Sequence, residues 1–137
     1  MPNVATTKDF FAKHYRGGLP TIVSNKDFWQ KIPPGLKILD VGCGLGHDIE
    51  NLRLKYPEAE IVGVDRQPEM IEMFPEAILA DATELPFADK EFDIAYANCV
   101  LCENPTREQI VKEMKRVALR VLICDVDREG NFSYATL

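Results

Sequence analysis

Three glycines at alternate positions, Gly42, Gly44 and Gly46, follow directly on the apolar run Ile38-Leu39-Asp40-Val41. Glycine serves where the backbone must take a positive φ or let another group come close. Such a turn at the carboxyl end of a buried strand is where open α/β sheets bind ligands. A ligand lying on it meets main chain rather than side chains. Acidic or polar residues recur at the ends of the later apolar runs: Asp65, Asp81 and Asn98, alongside Asp40 in the first. A carboxylate at Asp65, about 20 residues beyond the turn, can accept hydrogen bonds from both hydroxyls of a ribose. Asp81, with the backbone of Ala82, can bind the exocyclic amine of an adenine. Four such residues at equivalent strand ends point to one crevice rather than to four ordinary turns.

The glycine spacing separates two kinds of cofactor. A nicotinamide or flavin turn reads G-x-G-x-x-G and serves a pyrophosphate at a helix N-terminus. Counted from Gly42, its third glycine would fall at His47. This chain has G-x-G-x-G in acidic surroundings, which suit a cofactor that combines adenosine with a positive sulfonium centre better than an anionic pyrophosphate.

The elements that must position these residues follow from periodicity and breakers. Phe10, Phe11, His14 and Tyr15 have helical spacing after Thr6-Thr7, stopped by Gly17-Gly18. A second helix is predicted from Ser24, carrying Phe28, Trp29 and Ile32 and ending before Pro33-Pro34-Gly35. Strands are then expected at about 37–41, 61–65, 77–80, 92–97 and 121–125. Helices are expected at about 46–56, 68–73 and 106–117. This alternation predicts a single α/β domain over residues 1–137, a Rossmann-like doubly wound parallel sheet with helices on both faces. Residues 1–35 form a helical cap in this reading, 36–126 the core, and 127–137 a polar tail that is either a short edge element or mobile.

With 137 residues and 46% hydrophobic content, the chain suits one soluble domain. Its apolar runs fall well short of the ~20 residues of a membrane helix, so no membrane partner is expected. Met1 to Phe10 lacks a basic segment followed by an apolar one, so no signal peptide is expected. Four cysteines in such a chain read as reduced thiols in the cytoplasm. The net charge of −6 argues against tight nucleic-acid binding. Lys112, Lys115, Arg116 and Arg120 then read as the solvated, positive end of a helix.

The ordered stretches ILDVGCGLGHD, VGVDRQPEMIE, AILADATELPFADKEFDIAYAN and VKEMKRVALRVLICDVD span about residues 36–126. Their combination resembles the class I S-adenosylmethionine-dependent methyltransferases, in particular the small-molecule branch typified by ubiquinone/menaquinone-biosynthesis methyltransferases. The resemblance implies S-adenosylmethionine as cofactor, S-adenosylhomocysteine as product, and in-line methyl transfer to a small-molecule acceptor. It implies that Asp40, Gly42, Cys43, Gly44 and Gly46 shape the methionine pocket and that Asp65 holds the ribose. It also implies that Arg66 lies over the adenine, that Asp81 and Ala82 read its edge, and that Asn98 and Cys99 stand near the methionine end. A minimal cofactor-binding module or partner subunit, without catalysis of its own, is the alternative.

Three departures from the family pattern carry expectations. Relatives continue past the fifth strand through a helix and an antiparallel hairpin to a seven-stranded sheet, whereas this chain resembles a short form ending after that strand. Its fifth strand is thus expected to be a long apolar edge, open to homodimer pairing. The proline-glycine turn that relatives carry before this strand is replaced by Ala118-Leu119-Arg120. Cys102-Glu103 stands where relatives often have histidine. Methyl transfer compels no side chain to act as a base, and the candidates are His14, Tyr15, His47 and Glu103, with His47 better suited to helix capping than to base work. Cys99-Val100-Leu101-Cys102 reads as core or pocket lining, since zinc needs a second ligand pair and a redox C-x-x-C normally opens a helix. Cys43 and Cys124 are expected to be buried, and no metal site is expected.

Overall fold

In the computed structural model, which describes residues 35–102 and 104–137, strands and helices alternate except where β3 runs through a loop to β4 and β5 turns back into β6. The order is β1 (Lys37–Val41), α1 (His47–Lys55), β2 (Glu60–Asp65), α2 (Pro68–Met73), β3 (Ile78–Leu79), β4 (Phe92–Asn98), α3 (Arg107–Val117), β5 (Ala118–Val126) and β6 (Phe132–Thr136). The six strands form one sheet in the order β3-β2-β1-β4-β5-β6. All neighbouring pairs are parallel except β5 with β6. The chain leaves β1 toward β2 on one side and returns to β4 on the other. The switch point of the sheet therefore lies between β1 and β4, where such folds open a crevice.

Central strands of a parallel sheet are covered on both faces, so they are apolar throughout rather than alternating. In β4 every residue but Asp93 is buried. One face packs Leu39, Val41, Ala95, Ala97, Val121 and Ile123 against α3. From α3 come Ile110, Met114 and Val117, at the i, i+4, i+7 spacing of one helical face. Full burial of a side chain of this size stabilises by about 1.5–3 kcal/mol. The opposite face gathers Ile38, Ile94, Tyr96 and Leu122 with Ile49 and Leu52 of α1.

Boundaries agree with the sequence-based expectation to within a residue or two for most elements. Two features differ. α3 passes straight into β5 at Ala118, whose extended backbone makes a separate turn unnecessary. β5 accordingly starts earlier than expected. The tail forms β6, which pairs antiparallel with β5 from Leu122↔Thr136 to Val126↔Phe132. The edge of β5 expected to be free is therefore occupied by the same chain, which corrects the homodimer surface drawn on it. Gly130, at φ +86°, closes the connecting turn, and Asp127 accepts the backbone N–H groups of Glu129 and Asn131. The expected helices before residue 35, with His14 and Tyr15, lie outside the described residues, as does Glu103.

Arg116 corrects another expectation. Lys112, Lys115 and Arg120 are exposed, but the Arg116 guanidinium turns back over the loop between β3 and β4. It donates to both carboxylate oxygens of Glu113 (2.7 and 2.9 Å) and to the carbonyls of Leu85 (3.0 Å) and Phe87 (2.8 Å). It also pairs with Asp89 at 2.9 Å. Glu113 in turn accepts the Leu85 N–H at 2.8 Å. Lys90 caps the C-terminus of α3 through the carbonyls of Lys115 and Ala118, where a cation meets the negative end of the helix. These contacts fix the loop that starts at Asp81.

Candidate functional site

The glycine turn after β1 is tied to β2 by two backbone bonds, since the N–H groups of Gly42 and Cys43 both donate to the Val64 carbonyl at 2.9 Å. Gly42 has φ +75°, and a Cβ there would stand 2.6 Å from Val100 Cγ1. Gly46 has φ +79°, and a Cβ there would stand 2.5 Å from the Phe74 ring. A side chain at either position would thus be both strained and obstructed. The turn runs into α1, whose first N–H groups lack intrahelical partners.

Asp65, at the end of β2, faces this turn. Its Oδ2 accepts the Gly44 N–H at 3.0 Å and its Oδ1 accepts the Gln67 N–H at 2.9 Å. A carboxylate offers about four lone-pair positions, so both oxygens retain capacity toward the cavity. Ala80 continues the arrangement by donating its N–H to the Asp65 carbonyl at 3.0 Å. Asp81 follows. Its Oδ1 takes the N–H and hydroxyl of Thr83 at 2.9 and 2.7 Å. Those bonds, ahead of the nearby Arg66 charge, hold its carboxyl below the usual range, so it is ionised at neutral pH.

These residues enclose a cavity of about 230 Å³ at the carboxyl ends of β1, β2 and β3. Of the expected set, Gly42, Gly44, Asp65, Arg66, Asp81, Ala82 and Cys99 line it. Four others do not. Asp40 is buried on the α1 face of the sheet, where its Oδ2 accepts the Tyr96 hydroxyl at 2.6 Å. Burial, then the charge of Asp48, pushes its carboxyl well above the usual range. Cys43 packs into the core of the same face, where burial raises its thiol. Gly46 lies under Phe74. The Asn98 side chain donates to Asp48 Oδ2 at 2.7 Å. The strand pleat explains Asp40: in β1, Leu39 and Val41 share one face and Ile38 and Asp40 the other. His47 is exposed in the first turn of α1, and the N-cap position itself is Gly46.

Gln67, Met70, Asn104, Thr106 and Ile110 also line the cavity and were not anticipated. Asn104-Pro105-Thr106 carried a usable signal, an Asx residue ahead of a helix. Asn104 Oδ1 accepts the N–H and hydroxyl of Thr106 at 2.9 and 2.8 Å, just before α3. Among the described residues no group of three or more His, Cys, Asp and Glu stands close enough to hold a metal ion.

The cavity fits a nucleoside with a cationic extension. It offers two carboxylates and one guanidinium, and a turn whose glycines keep one wall free of side chains. The enclosed volume lies below the roughly 300–1,000 Å³ usual for a whole ligand, so it suits the nucleoside end, with the remainder reaching outward past Gly44.

A methyltransferase-domain family matches residues 39–120 of this chain. The chain is 35% identical over 96 residues to the malonyl-[acyl-carrier protein] O-methyltransferase of Legionella pneumophila, covering 64% of this chain and 34% of that protein. It is 31% identical over 100 residues to the sterol methyltransferase-like protein 1 of Botryococcus braunii, covering 64% and 25%. The chain thus spans about a third or less of the length of these relatives. In the solved structures, YcgJ from Bacillus subtilis superposes with a TM-score of 0.63 at 26% identity, covering 70% of this chain and 46% of that one. A SAM-dependent methyltransferase from Aquifex aeolicus superposes with a TM-score of 0.69 at 18% identity, covering 96% and 77%. The latter likeness concerns the fold alone.

Proposed function

The chain belongs to the class I S-adenosylmethionine-dependent methyltransferases, and on that premise we propose that its cavity holds S-adenosylmethionine and that it methylates a small molecule. The observation that carries this reading is Asp65, which anchors the glycine turn through the Gly44 N–H, also accepts the Gln67 N–H, and still faces the cavity. In this reading Asp65 takes the ribose hydroxyls, Arg66 covers the adenine, and Asp81 with Ala82 meets the adenine edge. Gly42 and Gly44 admit the cofactor against bare main chain. Asn98 and Cys99 stand at the end toward the methionine, Asn98 through its main chain because its amide is engaged by Asp48. Asp40, Cys43 and Gly46 support the turn from behind.

The bound cofactor supplies a sulfonium-activated methyl group, open to in-line displacement. The protein's share is alignment and exclusion of water, which can provide a large part of the rate. An acceptor that is already a strong nucleophile needs no base, whereas a hydroxyl acceptor does. His47 is the candidate base among the described residues, and His14, Tyr15 and Glu103 are the candidates beyond them. Relatives named for malonyl-acyl-carrier protein, trans-aconitate and arsenite support a small acceptor. No helix among the described residues is long and apolar enough to cross a membrane. We place the protein in the cytoplasm, where its free thiols persist.

The test is release of S-adenosylhomocysteine from S-adenosylmethionine across a panel of carboxylate, hydroxyl, quinone and thiol acceptors. Acceptor-dependent product supports the reading. Tight cofactor binding with no product from any acceptor points instead to a binding module that serves a catalytic partner.

A further inference from the structure

The C-x-x-C segment does not bring its own two sulfurs together. Cys99 instead meets a thiol 25 residues away in sequence, with its Sγ 4.0 Å from Cys124 Sγ. The main chains are joined at the same point, where the Cys99 N–H donates to the Cys124 carbonyl at 2.8 Å. Cys102 turns elsewhere, accepting the Val126 N–H at 3.1 Å and approaching Asp125 at 3.7 Å. Cys99 is also a non-glycine residue in the left-handed region, at φ +57°, an uncommon state that its surroundings must hold in place. Cys99 is half-buried and among the residues that line the cavity, while Cys124 is fully buried in the strand behind it. One sulfur is thus reachable by a small solute and the other is positioned to attack it.

We propose that Cys99 and Cys124 form an oxidisable thiol pair, and that their disulfide distorts the wall of the cofactor cavity. A peroxide is the oxidant. The Cys99 thiolate attacks a peroxide oxygen, the O–O bond breaks, and sulfenic acid forms at Cys99 with loss of one water. The Cys124 sulfur then attacks Cys99 Sγ and displaces hydroxide. That hydroxide leaves as a second water with the proton of Cys124. Two thiols lose two electrons in all and one peroxide gains them. The contact with Cys99, then burial, holds the Cys124 thiol in its protonated form.

An S–S bond is about 2.05 Å long, so the sulfurs must close roughly half of their present separation. Cys124 sits in the middle of the sheet, paired with Asn98 on one side and Tyr134 on the other. Cys99 lies beyond the end of β4, so the closing movement falls on it rather than on the strand residue. Val100 follows it and rests against Gly42, so the shift reaches the glycine turn. In a reducing compartment such a bond is transient and regulatory rather than structural.

The test uses the full chain, treated with hydrogen peroxide under native conditions, alkylated and digested with trypsin. Cys99 and Cys102 share the fragment 91–107, and Cys124 falls in 121–128. The expected product is a link between these fragments, present in wild type and in Cys102→Ser and absent in Cys124→Ala. The affinity for S-adenosylmethionine is expected to fall about tenfold or more on oxidation. Dithiothreitol should restore it, and Cys124→Ala should keep it through the same treatment. A link inside fragment 91–107, or sulfinic acid at Cys99 with Cys124 still reduced, overturns the pair. A complete link with unchanged affinity overturns its effect on the cavity. The second half rests on the cofactor reading, and the two fail differently: reduced protein that binds no S-adenosylmethionine defeats that reading, while the fragment map still decides the pair.

Discussion

Replacing Asp65 by alanine removes the carboxylate on which the cofactor reading depends. In the folded chain its oxygens accept the N–H groups of Gly44 and Gln67 at 3.0 and 2.9 Å and face the cavity. A hydrogen bond to a charged acceptor contributes about 1.5–3 kcal/mol net. Two bonds from a ribose diol would give about 3–6 kcal/mol. Asp65 is only half-buried and water competes for it, which discounts that figure to about 2–4 kcal/mol. At 1.4 kcal/mol per tenfold this is a loss of roughly 30- to 700-fold in affinity. Titration calorimetry of the variant with S-adenosylmethionine measures it. Circular dichroism and a melting curve separate this loss from unfolding, since the Gly44 and Gln67 bonds go as well. Asp65→Asn retains one acceptor oxygen and should fall between wild type and alanine. A folded Asp65→Ala protein with wild-type affinity would refute the placement of the ribose.

Other outcomes follow from the same structure. Gly46→Ala places a Cβ in a left-handed conformation against the Phe74 ring, and should cost about 2–4 kcal/mol in urea denaturation; a loss below the error of the method would contradict the close approach. Asp40 has a folded-state pKa raised by burial and by Asp48, so the native state binds more protons than the unfolded one above the ordinary carboxylate value. Stability is then greatest below about pH 4 for this group and is lost as pH rises from there. Asp40→Asn can keep the bond from Tyr96 and should gain on wild type as pH is raised, whereas parallel stability–pH curves would count against a buried, reluctant carboxyl. Arg116→Ala frees the loop after Asp81 and should lower both the melting temperature and cofactor affinity; loss of stability alone would show that the loop does not need this anchor to hold Asp81.

What could be read in advance was what short stretches encode by themselves. Gly42 and Gly44 after an apolar strand, and Asp65 and Asp81 closing later ones, reach one cavity because a parallel sheet aligns its strand ends. What stayed open or failed depended mostly on partners distant in sequence. Phe132–Thr136 is short and mixed in polarity, and only pairing with β5 makes it a strand. Asp40 was assigned to the cavity although the pleat of its own strand, read from Leu39 and Val41, already turned it to the other face. Arg116 resembled its exposed neighbours until the loop carbonyls of Leu85 and Phe87 came within its reach. Cys99 read as core or pocket lining and Cys124 as a separate buried thiol, and only the sheet brings the two together.

The central claim is tested most directly by calorimetric titration of the full, reduced chain with S-adenosylmethionine, S-adenosylhomocysteine and NAD. The account expects both S-adenosyl compounds to bind at micromolar concentration and NAD not to bind, because the glycine spacing and the carboxylates of Asp65 and Asp81 disfavour a pyrophosphate. A folded protein that binds neither S-adenosyl compound, or that prefers NAD, would contradict it.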